Sequence, residues 1–141
     1  MDSGGEIIME LIHLATLFRI INLYSHHAHN LTFGCTFMQD HEFFAELYDF
    51  ADGVYDDCIE REIGTASENI DLCQILKDSY DLIEQLDDNY FENILKLLDE
   101  AINFIEESCK DGKLSQGTIN MLVGHADKIE VLQYKIKRRL K

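Results

Sequence analysis

Residues 39–64 read QDHEFFAELYDFADGVYDDCIEREIG, and two patterns run through them on one period. Phe43, Phe44, Leu47, Phe50, Ala51, Val54, Cys58 and Ile59 recur at spacings of three and four, which places them on one face of an α-helix. Asp52, Asp56 and Glu60 follow each other at four-residue intervals, so their carboxylates stack along a second face. Like charges so placed repel by a few tenths of a kcal/mol per pair in water. A cation between them reverses the sign. The same spacing also fits a plain solvated acidic stripe.

Working outward, the apolar period returns three more times. Ile7, Ile8, Leu11, Leu14, Ala15, Phe18, Ile21 and Tyr24 predict a first helix over 6–30, and Ser3 with its glycines suits its start. Thr32, Gly34 and Thr36 mark a connection over 31–38. The second helix is expected over 39–63, with Gly64 as its stop and Gly53 costing about 1 kcal/mol against Ala. A polar 65–69 leads to a short helix over 70–80. Ile94, Leu95, Leu98, Ala101, Ile102 and Ile105 mark a third long helix over 82–109, ended by Asp111-Gly112. Ile119, Leu122, Val123, Ala126, Ile129, Leu132 and Ile136 mark a fourth over 115–140. Four helices of about 25 residues span roughly 35–40 Å each. Two short connections and one long one predict an all-α four-helix bundle with a single crossover carrying a short helix. No stretch alternates with period two, and no internal repeat is present. The chain reads as one domain over 1–141.

Composition narrows the partners. The chain has 141 residues, with 12 Lys and Arg against 27 Asp and Glu, a net charge of −15. A nucleic-acid binder needs a basic face, so DNA binding is not expected. Acidity of this degree suits a solvated surface, cation attraction or DNA mimicry. Lys135, Lys137, Arg138, Arg139 and Lys141 form one basic cluster. At the end of a helix such cations offset the dipole. The absence of proline agrees with long helices. The N-terminal stretch has no basic n-region, and Arg19 interrupts the first apolar run, so neither a signal peptide nor a membrane span is expected. Cys35, Cys58, Cys73 and Cys109 form no CxxC pair, and reduced thiols in a cytoplasm are expected.

His26, His27 and His29 close the first helix, and His41 opens the second. Imidazole with carboxylate suits iron, zinc or copper rather than calcium or magnesium. A di-iron site inside a bundle needs two Glu-x-x-His motifs, and only Glu10-x-x-His13 is present. The set therefore points away from a site within one bundle. No nucleophile elbow and no phosphate-cradling glycine loop occurs.

The stretch His29-Asn30-Leu31-Thr32-Phe33-Gly34, then Phe37, then residues 41–48 (HEFFAELY), then residues 56–61 (DDCIER) and Gly64, resembles the signature region of the Dps family of mini-ferritins. That family reads approximately H-W-x-V-x-G-x-x-F, then L-H-x-x-F-[DE]-x-L-Y, then D-x-x-A-E-R and a glycine. The gaps from His29 to His41 and from His41 to Asp56 match without insertion, and residues 111–123 resemble the last turn and helix more loosely. The resemblance implies a ferritin-like bundle whose metal site is shared between chains. His29 and His41 would come from one subunit, and Asp56 and Glu60 from its two-fold partner. It implies a ferroxidase that oxidises Fe(II), with hydrogen peroxide preferred, in a twelve-subunit shell that stores ferric mineral and limits oxidative damage. One or two irons would bind per site, with Glu60 as the anchor, and zinc could substitute. Where the family has an acidic residue four positions after the second histidine, this chain has Ala45. Glu42, Asp49 or Asp52 could stand in, and Asp52 is best placed, as a further candidate ligand. Asn30 and Ile59 also depart from the pattern. Two alternatives remain at this level: a Dps-like bundle that binds metal without oxidising it, and an acidic helical bundle that binds a protein or mimics DNA.

Overall fold

The computed structural model describes residues 3–66 and 69–141, with side chains from Leu11 onward except that of Ala66. Among the described residues five helices follow in order: α1 (Ser3–Leu31), α2 (Phe37–Ala66), α3 (Leu72–Ile83), α4 (Tyr90–Lys110) and α5 (Gln116–Arg139). The described residues contain no strand. The expected apolar positions Ile7 and Ile8 lie outside the described side chains, and Ser67 and Glu68 of the expected 65–69 connection lie outside the described residues.

The helices form where the apolar period and the caps agree. The Asp71 side chain accepts from the Gln74 amide at 3.2 Å and starts α3. Ser115 does the same for the Thr118 amide and starts α5. Gly112, at φ 74, takes the left-handed conformation that ends α4 after Asp111. Three expectations change. Gly64 does not stop α2, which runs two residues further; the glycine keeps helical geometry there. The segment before α4 is not helical. The Asp87 carboxylate turns back to the Asn89 amide at 3.0 Å, and the Tyr24 hydroxyl donates to the Asp87 carbonyl at 2.6 Å, so the chain is pinned in a turn. Val123, expected on the buried stripe of α5, is exposed because Leu122, one position earlier, takes the core face.

Directions follow from contacts. His29 meets His41, and Arg19 meets Asp52, so α1 and α2 are antiparallel about a five-residue loop. Gly34, at φ 89, makes the turn, with the Phe37 amide donating to its carbonyl at 3.1 Å. Tyr24 meets Tyr90 while His13 meets Phe104, so α4 is antiparallel to α1. Arg139 pairs with Asp40 while Arg61 reaches Thr118, so α5 is antiparallel to α2. The chain must therefore cross the length of the bundle between α2 and α4, and α3 rides on that crossover against α1.

The core lies between α1, α2, α4 and α5. Leu14, Phe18 and Ile21 of α1 meet Leu47 and Val54 of α2, Ile94 and Leu98 of α4, and Leu122, Ile129, Leu132 and Ile136 of α5, all fully buried. Burying a side chain of this kind stabilises by about 1.5–3 kcal/mol before the entropy of ordering is subtracted. Along α3 only Ile75 and Ser79 are buried, while Leu72, Leu76 and Tyr80 form an exposed apolar row one turn apart. No helix among the described residues is long and apolar enough to cross a membrane.

Candidate metal half-sites on the first helix pair

The α1–α2 turn brings the two histidines together. The rings of His29 and His41 stack at 3.7 Å between centroids, 24° from parallel. Each ring also bonds to the other residue's backbone. His29 Nδ1 lies 2.7 Å from the His41 carbonyl oxygen, and His41 Nδ1 lies 3.1 Å from the His29 carbonyl oxygen. A carbonyl has no proton to give, so both Nδ1 atoms carry the hydrogen and donate. The Nε2 atoms are then the ring positions with a lone pair to offer when the rings are neutral. A metal-binding histidine nearly always donates its second ring N–H to a carbonyl or carboxylate.

Aromatic neighbours hold the pair. Phe37 stacks on His41 at 4.9 Å, and Tyr48 meets His29 edge-on at 5.3 Å. His26 stacks on Tyr48 at 4.0 Å and meets His29 edge-on at 6.0 Å. Thr32 Oγ1 donates to the His29 carbonyl at 2.9 Å and closes the loop side.

Asp56 and Glu60 lie elsewhere. Both are exposed on α2. Asp56 is fifteen residues beyond His41 on the same helix, a rise of about 22 Å. One chain therefore cannot close a site from His29, His41, Asp56 and Glu60. Among the described residues no group of three or more His, Cys, Asp or Glu side chains could hold a metal ion. The rotation of α2 explains the exposure. Asp57 meets His125 Nε2 of α5 at 2.9 Å, and Arg61 donates to Thr118 at 3.1 Å. Those contacts turn the adjacent Asp56 and Glu60 away from α5 and out to solvent.

The four cysteines are free thiols. Cys58, beside the carboxylates in sequence, faces the core, and burial pushes its thiol up to about 12. It packs and does not ligate.

Sequence reasoning missed Arg19. Its guanidinium spans the α1–α2 groove, 3.3 Å from Asp52 Oδ1, 2.9 Å from Asn22 Oδ1 and 3.8 Å above the centre of the Tyr55 ring. Asn22 in turn donates to the Tyr48 carbonyl at 2.9 Å. The antiparallel register that sets His29 beside His41 also sets Arg19 beside Asp52, so the signal was present in the loop position. Asp52 is thus engaged by a cation of its own chain. Glu46 likewise belongs to structure, because Lys128 and Lys135 of α5 bind it at 2.7 and 3.1 Å. Half-buried Ala45 brings no oxygen atom to this face. Two members of the basic C-terminal cluster, Lys135 and Arg139, face Glu46 and Asp40 of α2.

No protein-family model, curated protein or solved structure matches this chain.

Proposed function

We propose that this chain is a ferritin-like, Dps-type protein that binds and oxidises ferrous iron at sites shared between two copies, with His29 and His41 from one and Asp56 and Glu60 from the other. The observation that carries the proposal is the reciprocal bonding of the two Nδ1 atoms to backbone carbonyls, which leaves the lone pair of each neutral ring on Nε2, the atom a metal ion would take. Helices in the order up, down, down, up with one long crossover support the ferritin-like reading. The separation of the two half-sites along α2 supports a second copy. Exposed apolar residues near those half-sites, Leu23 on α1 and Ile63 on α2, give such a pairing surface to bury.

In this reading ferrous iron and hydrogen peroxide are the substrates. Nε2 atoms supply neutral ligands and the carboxylates supply charge, a mixed set that iron accepts and zinc can share. Glu60 anchors the ion from the partner side, and Asp56 one turn away completes the set. In overall stoichiometry two ferrous ions, which need not share one site, give up one electron each to one peroxide, and with two protons the products are two waters. Twelve-subunit assembly, mineral storage in a cytoplasm and protection from oxidative damage belong to the same proposal. The net charge of −15 supports attraction of cations and opposes DNA binding.

The test mixes anaerobic protein with ferrous iron and then adds peroxide. Ferric absorbance should rise well ahead of protein-free buffer, and Glu60→Ala should reduce the rate at least about tenfold. A rise no faster than in buffer sinks the ferroxidase reading. Binding without oxidation is the second reading, and the engagement of Asp52 by Arg19 together with Ala45 favours it, since both remove oxygen ligands.

A further inference from the structure

We propose that Arg19 sets the metal content of the site at one ion per chain. This rests on the inter-chain reading above. A second ion would need a second carboxylate on the histidine side or along the acidic face of α2. Ala45 supplies none, and of the carboxylates that could stand in, Glu42, Asp49 and Asp52, Asp52 is the best placed, one turn before Asp56. Arg19 already fills that place.

Its hold does not depend on the Asp52 contact alone. That contact is 3.3 Å long and Asp52 is 65% exposed, so by itself it is a weak surface pair that a divalent ion would displace. The guanidinium is fixed from two other sides, by the Tyr55 ring at 3.8 Å and by Asn22 at 2.9 Å, and its side chain is only 22% exposed. Cation stacking on an aromatic face keeps the charge in the groove wherever the Asp52 carboxylate turns. A divalent ion on Asp52 would then stand roughly 5 Å from a positive charge that cannot leave. Coulomb repulsion at that distance, even screened as in bulk water, weakens binding by roughly tenfold. Arg19 acts as an internal cation that takes the second ion's carboxylate and repels its replacement. It is a specificity-determining residue for metal number and makes no contact with the first ion.

The experiment titrates the whole protein with Co(II) under nitrogen, reading stoichiometry by calorimetry and coordination by visible absorbance. Wild type should bind one ion per chain, lost in Glu60→Ala. Asp52→Asn should leave that ion unchanged. Arg19→Gln should add a second ion, at least about tenfold tighter than any weak second phase in wild type. Arg19→Gln with Asp52→Asn should return to one. Arg19→Lys, which keeps the charge, should stay at one and separates electrostatics from loss of packing. Two ions in wild type, loss of an ion in Asp52→Asn alone, or one ion in Arg19→Gln overturns the role of Arg19 while leaving the shared site intact. Binding that ignores Glu60→Ala, or no binding by any of these proteins, overturns both.

Discussion

At the N-terminal end of α2, His41 is clamped by a partner ring, by two backbone carbonyl bonds and by Phe37. Toward the other end of the same helix, Asp56 and Glu60 stand in solvent. The first half is prepared before anything binds, with tautomer and ring plane already chosen. The second is a pair of acidic side chains whose direction is fixed only by the turn of the helix under them. The difference teaches that order in this site follows the α1–α2 turn, where two helix ends supply carbonyls to each other's side chains. Ordering of the carboxylates must come from what docks against them.

The contrast can be broken from its buried side first. Phe44, three residues beyond His41, is buried against Tyr90 and Phe91. Phe44→Ala should cost about 3–5 kcal/mol in urea denaturation, because it opens a cavity under the ordered half. A cost below about 1 kcal/mol would mean that this half is not set into the core as described. The next test compares the halves directly. His29→Ala should cost about 1–2 kcal/mol, since it removes a bond to the His41 carbonyl and the stacked ring. Asp56→Ala should stay within about 0.5 kcal/mol of wild type. Equal costs would erase the distinction.

Acid should loosen the ordered end in a defined sense. Burial acts to raise the Asp40 carboxyl, but hydrogen bonds from Arg139 and Thr36, with the Arg139 charge, outweigh it and hold the group below its ordinary 3.8. A lowered folded value gives stability that is present above the unfolded value and lost as pH falls through the folded one. Arg139→Gln should therefore lose about 1 kcal/mol at neutral pH. The gap to wild type should close once the pH is taken well below 3.8, as followed by thermal melts across pH. A gain in stability should come from the solvent-facing half. Gly53 sits inside α2 with open space where a Cβ would go. Gly53→Ala should raise stability by about 0.5–1 kcal/mol, measured by the same melts, and should leave metal binding unchanged.

Much of the architecture was legible in the residues. The spacing of Leu14, Phe18 and Ile21, and of Leu122, Ile129, Leu132 and Ile136, marks buried faces because side chains three and four apart share one side of a helix. Boundaries were less legible. Gly64 and Gly112 look alike as letters, yet only Gly112 takes positive φ. Asp87 ends a helical pattern because its carboxylate finds the Asn89 amide and its carbonyl finds Tyr24, a residue 63 positions away. The members of the candidate site were named from the resemblance of residues 29–64 to the Dps signature, with the His and Asp/Glu spacing beside it. Their state was not, because the proton positions of His29 and His41 depend on carbonyls of the facing helix. The engagement of Asp52 depends on Arg19, 33 positions earlier.

The crossover has a consequence for how the chain reaches its fold. The α1–α2 and α4–α5 hairpins each close through a five-residue loop, so each can form from neighbouring sequence within microseconds to milliseconds. The contacts that join them, such as Asn93 to Tyr24 across 69 positions, need the two hairpins to meet. The crossover then acts as a tether that raises local concentration. A chain divided between α2 and α3 should yield two fragments that recombine on mixing, with a rate proportional to their concentration, whereas one divided inside the α1–α2 loop should recover far more slowly.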